Sequence, residues 1–223
     1  MALTVITALS FFTACGGGQT VPDPDSQPDS GQHTPETCLI DLGNGIIVTD
    51  IGPYTGMYME DGSDEIVSGV LMMIVKNTGD KTLQYGAITM PAGEADAKFE
   101  VTTLPAGRSV VLLEKSRMAF DKDFDYKTAV TDNIAFFPEE ESKMEDTVKV
   151  QFLDGVINVT NISDSDIDGE ILIYYKNSAK ELYYGGITYR SRVTGGLAKG
   201  ETRQIAGAHA TKTGSALMFV QIV

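Results

Sequence analysis

From residue 38 onward, apolar and polar residues alternate in short runs that Gly, Asn, Asp and Pro interrupt. A period of two marks half-buried strands, and clustered turn residues mark their ends. The pattern predicts seven strands in a first part, near 39–42, 45–51, 68–76, 83–90, 97–102, 108–115 and 131–137. It predicts a comparable set in a second part, near 148–153, 156–162, 169–176, 182–189, 191–194, 202–207 and 216–222. Asn77-Thr78-Gly79-Asp80 and Leu153-Asp154-Gly155-Val156 have the residues of tight turns. No stretch has sustained helical periodicity; Phe120 to Val130 leaves room for one turn. Seven short strands per part, at this spacing, indicate antiparallel sandwiches.

The two parts read as copies. KNTGDKTLQYGAIT (76–89) aligns with KNSAKELYYGGIT (176–188), with identities at Lys76/Lys176, Asn77/Asn177, Leu83/Leu182, Tyr85/Tyr184, Gly86/Gly185, Ile88/Ile187 and Thr89/Thr188. The flanks agree: CLIDLGNGIIVTDI parallels VQFLDGVINVTNI, and TTLPAGRSVVLLE parallels GGLAKGETRQIAG with Leu104/Leu197 and Gly107/Gly200 in register. Alternation places Leu71, Met73 and Val75 inside, with Ile171, Ile173 and Tyr175 as their counterparts. Val70, Met72 and Ile74 then form an outward apolar stripe, which predicts a covered sheet. Leu83 and Tyr85 are expected on one face, with a bulge at Gly86 (and at Gly185) returning Ile88 to the core.

NTGDKTLQYG followed by LPAGRSVVLLE resembles the Asn-Thr-Gly and Leu-x-x-Gly pattern of bacterial immunoglobulin-like modules, including the CARDB type of cell-surface proteins. The resemblance implies an all-β chain of two tandem antiparallel immunoglobulin-like β-sandwiches, at 38–139 and 147–223, joined by a charged linker at 140–146. It implies no catalytic residues.

The N-terminal region has a different composition. Residues 2–14 carry no charge and are too few to span a bilayer, as suits the apolar part of a signal peptide. The junction Phe12-Thr13-Ala14-Cys15 resembles a lipoprotein lipobox, which implies a signal peptide at 1–14 and lipidation of Cys15. Met1 is expected to lie inside a longer signal peptide, because no Lys or Arg precedes the apolar run. Residues 15–37 contain no Leu, Ile or Phe and four prolines, the composition of a disordered tether. The expected location is extracytoplasmic, lipid-anchored to the cell membrane or outer membrane. With Cys15 lipidated, Cys38 has no disulfide partner, and stability must come from the core.

Net charge is −14, from 17 Lys/Arg against 31 Asp/Glu. Residues 38–139 hold 8 basic and 16 acidic side chains, whereas 147–223 hold 8 and 7, so acidity gathers in the first part and the tether. No basic stripe exists, which argues against nucleic acid as a partner.

Candidate chemistry is sparse. His33 and His209 are the two histidines, which leaves no histidine-centred catalytic group to assemble; a non-enzymatic protein is expected. Asp164, Asp166 and Asp168, before Gly169, alternate like the first half of a calcium loop, but Tyr175 stands where the closing Glu would be. The same run suits a polar connecting turn, and calcium enters as a possible ion for adhesion. Tyr174, Tyr183 and Tyr189, near Arg190 and Arg192, form a candidate ligand-binding platform for a polysaccharide or a protein. The first part has an insertion, residues 53–65, rich in Tyr, Met and acids, suited to a binding loop or a flap over a sheet. The expected function is a binding or scaffold module of the cell envelope, anchored to the membrane through Cys15. The alternatives are carbohydrate binding through exposed tyrosines, calcium-assisted adhesion, and an assembly factor that pairs sheet edges.

Overall fold

Alternation gives each long strand two faces. In β3 (Ile66–Asn77), Leu71, Met73 and Val75 are fully buried, while Met72 and Ile74 are half-buried on the other side. In β10 (Ile171–Ala179), Ile171, Ile173 and Tyr175 are buried in the same way. The computed structural model describes residues 38–180 and 182–223; the signal-like segment, Cys15 and the tether lie outside them.

The described residues are all β, with thirteen strands and no helix. The first half holds β1 (Ile40–Asp41), β2 (Ile46–Met57), β3, β4 (Leu83–Ala92), β5 (Ala95–Leu104), β6 (Ser109–Leu113) and β7 (Val130–Phe136). The second half holds β8 (Val148–Leu153), β9 (Val156–Asn161), β10, β11 (Leu182–Val193), β12 (Thr202–Ala206) and β13 (Ser215–Ile222). Residues 120–130 contain turns but no helix, and the two predicted strands at 182–189 and 191–194 are one strand, β11.

Three sheets result: a seven-stranded sheet in the order β1-β2-β3-β6-β11-β10-β13, and two three-stranded sheets, β5-β4-β7 and β12-β9-β8. The halves meet within the large sheet, where β6 and β11 run parallel and Ser109, Val110 and Val111 lie beside Leu182, Tyr183 and Tyr184. The small sheets cover opposite faces of it. Leu83, Ile88, Phe99 and Val101 of the β5-β4-β7 sheet pack with Leu71, Met73, Val110 and Leu112. Ile157 and Val159 of the β12-β9-β8 sheet pack with Ile171, Ile173, Tyr189 and Val220. Burying each such aliphatic side chain contributes about 1.5–3 kcal/mol. The segment after β7 makes the change of face: Phe137 belongs to the first core, while Met144 and Val148 pack in the second.

The repeat exists in a different register from the 76–89/176–188 alignment. Lys76 and Asn77 end β3, and residues 78–82 carry the chain to β4 in another sheet, whereas Lys176 and Asn177 lie inside β10, which pairs directly with β11 as a hairpin. Strand pairing instead equates β3 with β9, β6 with β12, β4 with β10, β5 with β11 and β7 with β13. Each half has one group of three strands (β2-β3-β6 or β8-β9-β12) and a second (β5-β4-β7 or β11-β10-β13). Leu104/Leu197 and Gly107/Gly200 keep their correspondence in this register.

The expected bulges at Gly86 and Gly185 both have a counterpart in the ladders, but the shared face of Leu83 and Tyr85 does not. Ile88 is in the core, and the β4–β7 ladder is irregular both between Leu83 and Tyr85 and between Ala87 and Ile88, the latter beside Gly86; Leu83 is buried while Tyr85 is half-exposed, so the two do not share one environment. The β10–β11 irregularity is larger: between Tyr175↔Tyr189 and Asn177↔Tyr184, β11 carries extra residues around Gly185, whose φ is +82°.

Candidate functional site

A groove of about 730 Å³ opens beside the junction of the halves. Its floor is Tyr183, Met218 and Phe219; one wall is the Pro105–Arg108 turn, and the other is the 140–145 segment. Volumes of this size match those of ligand clefts. The sequence puts Tyr183 there by strand alternation: Tyr183, beside Val110, faces the first core, and Tyr184, beside Val111, faces away. Phe219 lies across from Tyr174 in the β10–β13 ladder, and their rings stack at 4.2 Å. Phe137 meets Phe219 edge-on at 5.8 Å. The Arg108 guanidinium lies over the Tyr183 ring, 5.6 Å from its centre.

The strand beside this floor is an edge. β13 ends the seven-stranded sheet, and the 140–145 segment runs next to it. The Val220 N–H donates to the Ser142 carbonyl at 2.9 Å, and the Gln221 amide reaches Glu141 at 3.5 Å.

The predicted tyrosine platform is not one exposed surface. Tyr183 and Tyr189 are buried, and they lie in different cores. Tyr174 is half-exposed and in register with the exposed Arg190. Arg192 is exposed and 3.8 Å from Glu170. Tyr189 stacks on His209 at 4.3 Å on the opposite face; burial, and then the charge of Asp64, push its hydroxyl pKa upward. Alternation separates these side chains, because residues 174 and 175 of one strand point opposite ways.

Asp164, Asp166 and Asp168 are not brought together. The Asp166 carboxylate accepts the Lys199 N–H at 2.7 Å, and Asp164 lies 3.1 Å from the Lys199 ammonium. Among the described residues no group of three or more acids, histidines or cysteines is clustered to hold a metal. The run connects β9 to β10 between sheets, as Asp80-Lys81-Thr82 connects β3 to β4.

The insertion at 53–65 continues the β2–β3 hairpin and then folds its tip back over the large sheet. Tyr58 is buried against Val111 and Leu113, and Met72 and Ile74 pack in the same cluster, so the outward stripe is covered. The Tyr58 hydroxyl donates to the Glu114 and Lys115 carbonyls, each at 3.0 Å. Burial, with nearby carboxylates, raises its pKa to about 12. Arg117 lies over the Tyr58 ring at 4.5 Å and binds Asp61 at 2.8 Å and Glu65 at 2.5 Å. Two bonds from Ser63, then Arg117, hold Asp61 down near a pKa of about 2.

The tip also reaches the second half. The Glu60 carboxylate accepts N–H bonds from Leu113 (2.9 Å) and Gly186 (2.9 Å), and Asp64 meets His209 at 2.9 Å. Beneath it lies the fully buried Lys176, whose ammonium donates to the carbonyls of Gly185 (3.1 Å), Gly186 (2.9 Å) and Ile187 (2.8 Å). Burial lowers its pKa to about 7, although the Glu60 charge opposes the shift. Burial raises Glu60, and its two backbone bonds and Lys176 restrain the rise.

Sequence reading named Tyr183 but missed the rest of the groove and the Glu60–Lys176 arrangement. Leu217 to Phe219 fall within one predicted strand, near 216–222, with nothing to mark a groove, and a lysine inside a strand carries no signal of burial. The extra residues around Gly185 were the available clue, since a bulge redirects carbonyls. Comparison with family models, with curated proteins and with solved structures gives no match.

Proposed function

We propose that this chain is a non-enzymatic binding or scaffold module of the bacterial cell envelope, held on the membrane by a lipidated Cys15. The groove over Tyr183, Met218 and Phe219 carries this reading, because it joins apolar floor, open access and a fixed frame. In this reading the two halves are tandem immunoglobulin-like sandwiches, as their repeated strand groups support. The lipobox-like junction and the proline-dotted tether support the anchor. A carbohydrate version would use Tyr174 and Arg190, the half-exposed tyrosine and the exposed arginine in register with it. The balance of charge offers no stripe for nucleic acid.

Metabolic labelling with an alkyne fatty acid tests the anchor: the protein takes up label and partitions with membranes, and Cys15→Ser loses both. An unlabelled, uncleaved N-terminus overturns the location. Glycan-array binding that Tyr174→Ala abolishes would select the carbohydrate version; binding that Ala106→Trp blocks would place the ligand in the groove.

A further inference from the structure

The groove has three features that bear on what fills it. Its floor is the narrow outer surface of the buried aromatic and apolar residues Tyr183, Met218 and Phe219, between walls that are largely polar. One border is an edge strand, β13, whose outer side is covered by an irregular segment and not by another strand. That segment is acidic: Glu140, Glu141 and Glu145 line the groove with Lys143 among them, and Glu139 and Asp80, with Lys81 beside Asp80, extend the border into the adjoining depression. Arg108 is turned onto the Tyr183 ring.

Edge strands recognise extended segments through backbone hydrogen bonds, with alternate side chains entering pockets. Natural edges are otherwise shielded against unwanted pairing. Here the shield is anchored to the strand by the Val220–Ser142 backbone bond and the weak Gln221–Glu141 contact. Opposite charge along a rim guides approach and selects the partner.

We propose that the groove takes an extended, basic segment of a partner protein, lying over Met218 and Phe219 between the Pro105–Arg108 turn and the 140–145 segment, with its apolar side chains toward that floor and its cations toward the 140–145 rim. Alternation suits such a segment: one side chain in two meets the floor, and the intervening ones meet carboxylates. The inference rests on the groove being the binding face, and it goes further by naming the ligand chemistry.

The test uses the full-length protein and a labelled nine-residue peptide alternating lysine with valine or leucine, against a counterpart with glutamate for lysine. The basic peptide binds, its affinity falls about tenfold between low and moderate salt, and the acidic peptide does not bind. The amides of Met218 to Val220 shift in NMR spectra. Combined Glu140→Lys, Glu141→Lys and Glu145→Lys reverses the preference; if that variant melts early, the three Gln substitutions replace it and weaken binding at least fivefold. Absence of basic-peptide binding, equal binding of both peptides, or shifts confined to other strands overturns the inference. Fatty-acid labelling at Cys15 and glycan-array binding lost in Tyr174→Ala are read independently, so a lost peptide does not remove the binding module.

Discussion

Asn77 and Asn161 hold the same position in the two halves. Each is fully buried, and each side-chain amide donates to the carbonyl four residues ahead, Lys81 (2.8 Å) or Ser165 (2.8 Å). Each donates again across the sandwich, to Leu104 (2.9 Å) or Leu197 (3.0 Å). Each side-chain oxygen accepts the N–H two residues on, from Gly79 or Ser163, at 3.0 Å. The backbone repeats as well: the Gly107 N–H meets the Asn77 carbonyl at 2.8 Å, and the Gly200 N–H meets that of Asn161 at 3.1 Å. One buried amide thus fixes the turn where the chain leaves one sheet for the other.

Replacing either asparagine by Ala leaves buried carbonyls without donors. Each substitution costs about 3 kcal/mol, a fall of roughly 10 °C in melting temperature. Asn177→Ala, at the position that the 76–89/176–188 identities equate with Asn77, costs less than about 1 kcal/mol, since its side chain reaches only the Met59 sulfur at 3.8 Å. Thermal unfolding of the three variants separates the two registers: equal losses for Asn77 and Asn177, with Asn161 spared, would reverse the assignment.

Strand positions were readable because a two-residue period is local, and nearly every predicted strand has its counterpart. The register of the repeat was not. Tyr85/Tyr184 and Gly86/Gly185 match in letters, but Gly86 sits in a ladder with Val101 while Gly185 opens a bulge over Lys176. Asn161 stood in VTNISDSDI with fewer identities, and its equivalence rests on hydrogen bonds that identity counts do not see. The tyrosine platform failed for a related reason. Alternation tells that Tyr174 and Tyr175 face apart, but which face is covered depends on a small sheet from distant sequence.

The bulge of β11 requires glycine at position 186. A Cβ there would stand 1.8 Å from the Glu100 carbonyl oxygen, a backbone atom on β5 that cannot swing aside. Gly186→Ala therefore separates β5 from β11 and costs more than about 3 kcal/mol. Gly107→Ala meets open space, and only its φ of +73° opposes the change, for about 1 kcal/mol. Denaturant titration ranks them; equal losses would mean that the close approach of the strands carries no weight.

The acidic turn at 164–168 is expected to act as a turn. Its Asp166 carboxylate is engaged by the Lys199 N–H. Melting temperatures in about 1 mM calcium and in chelator should agree within roughly 1 °C, and Asp166→Ala should cost about 1 kcal/mol in both. A calcium-dependent rise of several degrees that Asp168→Asn removes would restore the ion-binding reading.

Lys176 gives stability a pH dependence whose sign follows from its burial. Its pKa falls from 10.5 to about 7 on folding, so the folded protein holds this proton less tightly than the unfolded chain. Between those values the unfolded chain carries the extra proton, and stability rises with pH, by at most about 1.4 kcal/mol per pH unit. Below about 7 the buried charge exerts its full penalty. Glu60 acts in the other direction: its pKa is raised from 4.5 on folding, so its penalty sets in as pH rises past 4.5. The pair therefore makes its least favourable contribution once Glu60 is ionised and before Lys176 loses its proton near pH 7. In Lys176→Met the rising limb from pH 7 to 9 should flatten by about 2 kcal/mol relative to the parent. Glu60→Gln should remove the falling contribution at mildly acidic pH and, by taking away the charge that opposes the Lys176 shift, extend the rising limb to lower pH. Denaturant titrations of the three proteins across pH 5 to 9 check both. An identical alkaline limb in Lys176→Met would mean that the lysine is not held in its ring of carbonyls with a lowered proton affinity.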